Sequence, residues 1–304
     1  GMRCSNPPHL LAFVRNKEKA DTVYAEQKVD CGNSLRFLYG DIRDPIQTDE
    51  SVDFIVHGAS LTSSRSFVEQ PVETMETALQ GTRNILCLAR EKQVQGLLYL
   101  SSMEVYGYPP RGQRVTEENV AGFDPTKTRC CYPISKQACE ALCCAAAAEY
   151  GIPVKLLRLT QTFGPGVPYT DERIFAQMMR CVIEQKNIVL KTKGETERCY
   201  LYTADAVRAM LLVLAIGHKG EAYTAANEAT YCSIADMAKM VAQDVAGGKI
   251  QVCYDLQDPD RLGYAQTLYM DLDTRKLKNL GWLAQVELKE MYERMILEVK
   301  RKEC

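Results

Sequence analysis

The sequence predicts an α/β fold, with a Rossmann-like doubly wound parallel sheet followed by a smaller C-terminal α/β lobe. Short apolar runs bounded by glycine, aspartate and serine are typical of buried parallel strands. Helical stretches lie between these runs, and such alternation indicates a doubly wound sheet. From about residue 161 helical patterns dominate. We therefore predict a Rossmann-like cofactor domain over residues 1–160 and a substrate lobe over residues 161–304, with residues 196–217 packing back on the first domain.

The predicted strands of the first domain are short and apolar. They are HLLAFV (9–14), SLRFLYGDIRD (34–44), VDFIVHGAS (52–60), GLLYLSS (96–102) and IPVKLLRLT (152–160). Residues 71–93 are predicted to be helical because Met75, Leu79 and Ile85 lie near one face. Residues 135–151 are rich in alanine, which favours a helix, and they end at a glycine, which favours its termination.

The second lobe is predicted to be mainly helical. Its predicted helices span residues 171–185, 204–217, 233–247 and 286–302, and short strands lie between them.

Composition and charge exclude several classes of function. The net charge is −2 and the pI is about 6.1, so nothing attracts the whole molecule to nucleic acid. No apolar run approaches the ~18 residues of a membrane span, so no membrane partner is expected. The 13 cysteines include no Cys-x-x-Cys pair and only three histidines accompany them, so we predict no metal site. An odd number of cysteines without a secretion signal is typical of the cytoplasm.

A serine at a strand end and a Tyr-x-x-x-Lys pair form the candidate active site. Ser102 closes the apolar run at 96–102, and Tyr132 and Lys136 follow about one loop later. The carboxyl ends of parallel strands meet at one edge, where doubly wound proteins bind ligands. Tyr132 and Lys136 share one face of a helix. Because a nearby ammonium favours the phenolate, we expect the pKa of Tyr132 to fall from about 10 toward neutrality, as a base acting on an alcohol requires.

Further short motifs accompany this constellation, and their order along the chain is informative. The set consists of YGDIRD (39–44), HGAS (57–60), QGTRNIL (80–86), SSMEVYG (101–107), YPISK (132–136), RLTQTFGPG (158–166), ERCYLYTADAV (197–207) and DLDTRKLKNLGW (271–282). Together they resemble the extended short-chain dehydrogenase/reductase family, in its nucleotide-sugar epimerase/dehydratase branch. The resemblance implies NAD or NADP as cofactor, a nucleotide-sugar substrate and a homodimer.

The resemblance also implies catalytic roles. Ser102 would supply a hydrogen-bonding hydroxyl, and Tyr132 would be the base. Lys136 would lower the pKa of that tyrosine and bind the cofactor ribose. Glu104 matches a glutamate that serves as a second base in dehydratases and in UDP-glucuronate decarboxylases.

Other positions are implied in ligand binding. The predicted cofactor contacts are Asp41, Ile42, Gly58, Ala59, Ser60, Lys136 and Arg15. The predicted substrate contacts are Gln161 and Arg198, of which Arg198 matches an arginine that binds the pyrophosphate. Arg15 stands near the place where NAD enzymes of this fold carry an acidic residue, which favours NADP.

The reaction stays open between several classes. Met103 stands where a dehydratase carries the aspartate that protonates the leaving hydroxyl, which favours an epimerase over a dehydratase. Glu104 favours the alternative of a UDP-glucuronate decarboxylase-like enzyme. A non-catalytic member of the family is a further alternative.

One element of the family is missing from the sequence. The family begins with a strand and a Gly-x-x-Gly-x-x-Gly loop that holds the cofactor pyrophosphate, whereas residues 9–14 already resemble the second strand. On the order of 30 residues, one βα unit, is absent. In the strand order 3-2-1-4-5-6 the missing strand is central. We expect either a truncated chain or a sheet in which the second strand closes against the fourth.

We predict that this chain binds NAD or NADP weakly or not at all. The reason is the loss of the glycine-rich loop, whose backbone amides provide the main anion site. Isothermal titration calorimetry of the 304-residue chain with either dinucleotide measures this directly. A micromolar dissociation constant would show that the prediction is wrong.

Overall fold

A computed structural model describes residues 9–25, 34–257 and 266–303, and it shows the predicted α/β architecture. Its main sheet is parallel, with the strand order β10-β6-β4-β3. These strands are β3 (Phe54–His57), β4 (Gly96–Ser102), β6 (Val154–Leu159) and β10 (Ala222–Ala225). The last strand shows that the chain returns to this sheet after residue 160.

Two further strands form a separate parallel sheet. They are β1 (Leu10–Val14) and β2 (Leu35–Tyr39), which pair in register from Leu10↔Leu35 to Val14↔Tyr39. Within the described part of the chain, β1 pairs only with β2, and β3 pairs only with β4. The expectation that the family's second strand (β1 here) closes against its fourth (β3 here) is therefore wrong. Among the described residues, β1 and β3 each have one edge without a strand partner.

Apolar side chains are exposed where these two sheets are separate. Leu10 on β1 is 55% exposed, and Phe54 and Val56 on β3 are 51% and 47% exposed. Their neighbour Ile55 points to the opposite face of β3 and is buried. Continuous apolar strands are typical of sheets covered on both faces. The structure covers β3 fully on one face only.

Some of the described helices pack on the two faces of the main sheet. The helices are α1 (Lys17–Val23), α2 (Ser64–Glu69), α3 (Pro71–Glu91), α4 (Cys131–Glu149), α5 (Ile174–Ile183), α6 (Thr203–Ile216), α7 (Ile234–Met240), α8 (Arg275–Lys278) and α9 (Leu288–Glu303). The helices α3 and α4 lie side by side and pack against Leu97 and Tyr99 of β4. The helix α6 packs against Leu98, on the opposite face. Alternate residues of β4 thus contact different helices, as the two-residue period of a strand requires.

Two smaller sheets complete the described structure. One has the order β11-β9-β13-β5, with β7 also pairing with β9, and the other pairs β12 with β8. Their strands are β5 (Arg114–Val115), β7 (Gln161–Phe163), β8 (Ile188–Leu190), β9 (Glu197–Tyr202), β11 (Asn227–Ser233), β12 (Val252–Tyr254) and β13 (Tyr269–Leu272). A π-helical turn at Val241–Val245 extends α7. Among the described helices, none is both long and apolar enough to cross a lipid bilayer.

A buried ion pair joins α4 to the centre of the main sheet. The Arg158 guanidinium on β6 donates from Nε and Nη2 to the Glu140 carboxylate on α4, at 2.9 and 2.7 Å. Its Nη1 donates to the Glu117 carbonyl oxygen at 2.7 Å. Arg158 and Glu140 are 5% and 6% exposed, so each charge depends on the other for compensation. This pair fixes α4 against the sheet.

Arg158→Met is expected to destabilise the fold by about 3–5 kcal/mol, because it leaves the Glu140 carboxylate buried without its partner. Urea unfolding followed by circular dichroism measures the change. The matched control is Arg65→Met, since Arg65 forms an exposed i,i+4 pair with Glu69. The control should cost at most about 1 kcal/mol. Equal destabilisation by the two variants would contradict the assigned role of the buried pair.

Candidate active site

The strand β4 delivers Ser102 to the carboxyl edge of the main sheet. A 3-10 turn at Met103–Tyr106 follows at once, and the Ser102 hydroxyl caps it by accepting a hydrogen bond from the Glu104 backbone N–H at 3.2 Å. Gly107 ends the turn with a φ of +67°, and a Cβ atom there would lie 2.5 Å from the Ala121 Cβ. Only glycine fits this position. The serine-glutamate segment is therefore held in a tight local structure.

The first turns of α4 bring Tyr132 and Lys136 to the same place. Tyr132 is 6% exposed, and Ser102 lies close enough to its phenol to lower the pKa of that phenol. The Lys136 Nζ lies 5.8 Å from the Tyr132 ring centroid and 5.0 Å from that of Tyr99. It donates a hydrogen bond to the Leu100 carbonyl oxygen at 2.9 Å. The structure thus brings the serine, tyrosine and lysine of the sequence prediction together.

The charge state of Tyr132 differs from the expectation. The pKa of Tyr132 is raised to about 12, mainly by burial and also by the Glu104 carboxylate, while Ser102 and Arg129 act to lower it. The predicted fall of this pKa toward neutrality is therefore wrong. Burial also lowers the pKa of Lys136 to about 8, because desolvation disfavours the charged form of the ammonium group.

Glu104 forms an ion pair that the sequence did not predict. The Arg129 Nη2 lies 3.1 Å from its Oε2, and the two side chains are 27% and 31% exposed. The guanidinium also lies 4.8 Å from the ring centroid of Phe67. Phe67 in turn stacks on Tyr132, with 4.2 Å between the centroids and 15° between the planes. Arg129 therefore contacts both the glutamate and the aromatic support of the tyrosine.

Asp41, Ile42 and Arg15 lie at the edge where β1 and β2 end. The Asp41 carboxylate accepts hydrogen bonds from the Arg43 backbone N–H at 2.9 Å and from its guanidinium at 3.0 and 2.9 Å. These bonds hold the pKa of Asp41 at about 2, and Arg15 lies near enough to contribute. Ile42 is buried against Gly81 of α3, where a Cβ atom would approach its side chain to 2.9 Å.

The segment after β3 forms the next part of this edge. Gly58 and Ala59 are exposed, and Ser60 donates to the Leu61 carbonyl oxygen at 3.3 Å. The preceding His57 is buried, and its Nε2 lies 3.1 Å from the Thr82 hydroxyl. Burial, together with the Lys136 charge, lowers the pKa of His57 to about 3, so the ring stays neutral.

Gln161 and Arg198 meet on the neighbouring strands β7 and β9. The Arg198 Nη1 donates to the Gln161 Oε1 at 3.2 Å. The Arg198 Nε is buried, and no acceptor for it occurs among the described residues. The Thr160 hydroxyl links this region to the Ser102 turn, because it contacts the Met103 sulfur at 3.2 Å and the Cys199 carbonyl oxygen at 2.6 Å.

Sequence reasoning missed Arg129 and Phe67. Arg129 lies three residues before Tyr132, outside the YPISK segment, and nothing in the sequence places it beside Glu104. Phe67 comes from a short helix with no distinctive motif. In residues 9–25, 34–257 and 266–303, no three His, Cys, Asp or Glu side chains are grouped so that they could hold a metal ion.

The chain is similar to a family of nucleotide-sugar enzymes and to several of their curated members. A model of the NAD dependent epimerase/dehydratase family matches residues 4–226. UDP-glucuronic acid decarboxylase 1 from Xenopus tropicalis is 30% identical over 260 residues, which cover 84% of this chain and 58% of that protein. The dTDP-glucose 4,6-dehydratase from Streptomyces niveus is 28% identical, over 83% of this chain and 72% of that protein.

A solved structure shares the fold. It is the UDP-glucose 4-epimerase from Thermotoga maritima, solved with UDP-glucose. The two structures superpose with a TM-score of 0.79 at 18% sequence identity, and the match covers 97% of this chain and 100% of the epimerase chain. The chain spans 58% and 42% of the length of the decarboxylases from Xenopus tropicalis and Danio rerio, about half on average.

Lys136→Met is expected to raise the free energy of unfolding at pH 7 by up to roughly 3 kcal/mol, because it removes a buried charge. The pKa of Lys136 is about 8 in the folded protein and 10.5 in its ordinary, unburied state, so between these values the unfolded chain binds one more proton. Wild-type stability therefore rises with pH in that window, and the advantage of the variant shrinks there.

Urea unfolding at pH 7 and pH 10 measures both effects. Lys289→Met is the control, since the Lys289 side chain is 51% exposed. A Lys136→Met protein that gains no more at pH 7 than the control, or gains equally at both pH values, would contradict the burial argument.

Proposed function

The chain belongs to the NAD dependent epimerase/dehydratase family, and we propose that it oxidises a hydroxyl group of a nucleotide sugar. One observation carries the proposal. Ser102, Tyr132 and Lys136 meet at the carboxyl edge of the parallel sheet, which is the edge where doubly wound proteins bind ligands. A phenol, a hydroxyl and an ammonium in this arrangement suit proton removal from an alcohol.

Each side chain has a distinct part in the proposed step. Tyr132 takes the proton of the hydroxyl that is oxidised, and Ser102 orients that hydroxyl by hydrogen bonding. Glu104 opposes ionisation of Tyr132 because its carboxylate is a like charge. Lys136 and Arg129 supply the positive charge that favours the phenolate. The balance of these charges decides the pH range in which the base works.

The residues fit NAD or NADP in part. Tyr132 and Lys136 suit the nicotinamide ribose, and Asp41 and Ile42 suit the adenine end. Gly58 and Ala59 are exposed, so the part of the cofactor between the nicotinamide ribose and the adenine can approach their backbone closely. No glycine-rich strand-to-helix turn of the expected kind occurs in the sequence. When bound, the dinucleotide supplies the hydride acceptor.

A decarboxylase is the second candidate function. Met103 stands at the position of the dehydratase aspartate, so this position holds no acid. The Met103 side chain is buried and contacts Thr160. Glu104 is present, and decarboxylases of UDP-glucuronic acid are among the relatives of this chain. These observations favour loss of carbon dioxide after the oxidation over loss of water.

Substrate binding is proposed to involve Arg198 and Gln161. The buried Nε of Arg198 has no acceptor within the described part of the chain, and a pyrophosphate oxygen satisfies such a donor. We further propose a homodimer in which the neighbouring helices α3 and α4 form the interface. Cys87 of α3 is exposed and therefore lies on the outer surface of this helix pair.

Conversion of a nucleotide sugar by the chain tests the proposal. The protein is incubated with UDP-glucuronate, UDP-glucose or dTDP-glucose and millimolar NAD or NADP, so that weak cofactor binding does not hide activity. Proton NMR of the anomeric signals distinguishes a UDP-pentose, an epimer and a 4-keto-6-deoxy sugar. We expect turnover of at least one substrate, and Tyr132→Phe should reduce it by about 10²–10⁴-fold.

Tyr150→Phe is the matched control, since Tyr150 lies at the end of the same helix and is 47% exposed. The control should keep wild-type activity. No conversion of any of the three substrates, or equal activity in the Tyr132 variant, would overturn the proposal.

A further inference from the structure

Tyr99 of β4 is a buried aromatic residue beside Lys136 that has no part in the proposed reaction so far. The Lys136 Nζ lies 5.0 Å from the centroid of the Tyr99 ring, closer than the 5.8 Å to the Tyr132 ring. Tyr99 and Lys136 are 2% and 3% exposed, so little water reaches the ammonium group. A cation within about 6 Å of a ring centroid is attracted by the ring face, and most strongly where both partners are desolvated.

The Tyr99 ring is itself held from the side of β3. His57 and Tyr99 are register partners on the adjacent strands β3 and β4, and their ring centroids lie 5.5 Å apart with 49° between the planes. The Thr82 hydroxyl of α3 lies 3.1 Å from the His57 Nε2 and fixes that ring in turn. Because burial keeps His57 neutral, it adds no second positive charge near Lys136. The Tyr99 ring is therefore packed in one orientation beside the ammonium group.

The useful part of Tyr99 is the face of its ring. In the described part of the chain, the Tyr99 hydroxyl is buried without a hydrogen-bond partner. A buried polar group without a partner costs free energy, so the hydroxyl does not explain why an aromatic residue stands here. Burial also raises the pKa of Tyr99 above its usual range, so the ring carries no charge at neutral pH.

We propose that Tyr99 is a positioning residue whose ring face holds the Lys136 ammonium in place beside Tyr132. The inference rests on the proposed function, because its catalytic consequence requires Tyr132 to act as the base. The Leu100 carbonyl oxygen accepts a hydrogen bond from the Lys136 Nζ at 2.9 Å. The Tyr99 ring adds attraction for the positive charge without competing for a hydrogen bond. A charged Lys136 in turn favours the phenolate of Tyr132.

Several titratable groups besides the two tyrosines act on the charge of Lys136. They are His57 of β3 and Cys139, Glu140 and Cys143 of α4. A test must therefore change the charge distribution of the Tyr99 ring with little change in its size, so that these neighbours stay in place. Phenylalanine and its mono-, tri- and pentafluorinated forms at position 99 meet this condition, because fluorine withdraws electrons from the ring face and weakens its attraction for a cation.

Urea unfolding of this series at pH 7 and pH 10 reports on Lys136 without any substrate. Tyr99→Phe should match or exceed the stability of the wild type, because it keeps the ring and removes the unpaired hydroxyl. Full fluorination should lower the pKa of Lys136 by about 1. The unfolded chain then binds one more proton over a wider pH range, so stability should rise more between the two pH values. In a Lys136→Met background this trend should disappear.

Turnover of the nucleotide sugar measures the catalytic consequence. At pH 7 the pentafluorinated variant should lower kcat by about tenfold and leave KM for the sugar within about twofold, because the ring acts on Lys136 and does not touch the substrate. Tyr99→Phe should keep kcat, and Tyr99→Leu, which removes the ring, should resemble the pentafluorinated variant. The control is the same fluorinated series at Tyr150, whose ring centroid lies 4.3 Å from the exposed guanidinium of Arg90, and it should change neither measurement.

The two measurements separate this inference from the proposed function. A pH dependence of stability that does not follow fluorination, or one that follows it equally in the Lys136→Met background, would overturn the role of Tyr99. A wild-type kcat in the pentafluorinated variant would overturn it as well. If the wild type converts none of the sugars while the pH trend is present, the proposed function fails and the contact between Tyr99 and Lys136 is supported.

Discussion

The attachment of α4 to the paired strands β4 and β6 is the constraint on which the site depends. Two buried cations orient this helix, in addition to its apolar packing against β4 and β6. Arg158 on β6 binds the Glu140 carboxylate of the helix, and Lys136 of the helix donates to the Leu100 carbonyl oxygen of β4. Because both contacts lie along one helix, they fix its rotation as well as its position. Tyr132, one turn before Lys136, therefore faces the strand end that carries Ser102.

This attachment places charges where desolvation is costly. Lys136 is 3% exposed and Tyr132 is 6% exposed, so both groups are biased toward their neutral forms. The Tyr132 phenol is protonated at neutral pH, so its proposed role as a base requires added positive charge that stabilises the phenolate. The ion pair of Glu104 and Arg129 is a local means of adjusting that charge, because its two members act on Tyr132 in opposite directions.

Much of the fold could be predicted because short-range patterns determine it. The apolar runs at 52–60, 96–102 and 152–160 became adjacent parallel strands, and their small polar ends meet at one edge. The contact of Arg129 with Glu104 could not be predicted, since it joins a strand end to a helix beginning across 25 residues of chain. The pKa of Tyr132 was misjudged for a related reason. Spacing reveals which charges are near, but burial depends on the packing of Phe67 and the helices around it.

The packing of Met103, the residue after Ser102, disfavours an acid at this position. Met103 is 6% exposed and belongs to an apolar cluster with Val105, Cys199 and Leu272, which joins the main sheet to the β9 sheet. Its sulfur contacts the Thr160 hydroxyl. An aspartate in this cluster would place a carboxylate among apolar side chains, at a large desolvation cost. A residue at position 103 therefore cannot both pack in this apolar cluster and supply an acid to a leaving hydroxyl. Glu104 is the carboxylate of this turn that acts on Tyr132.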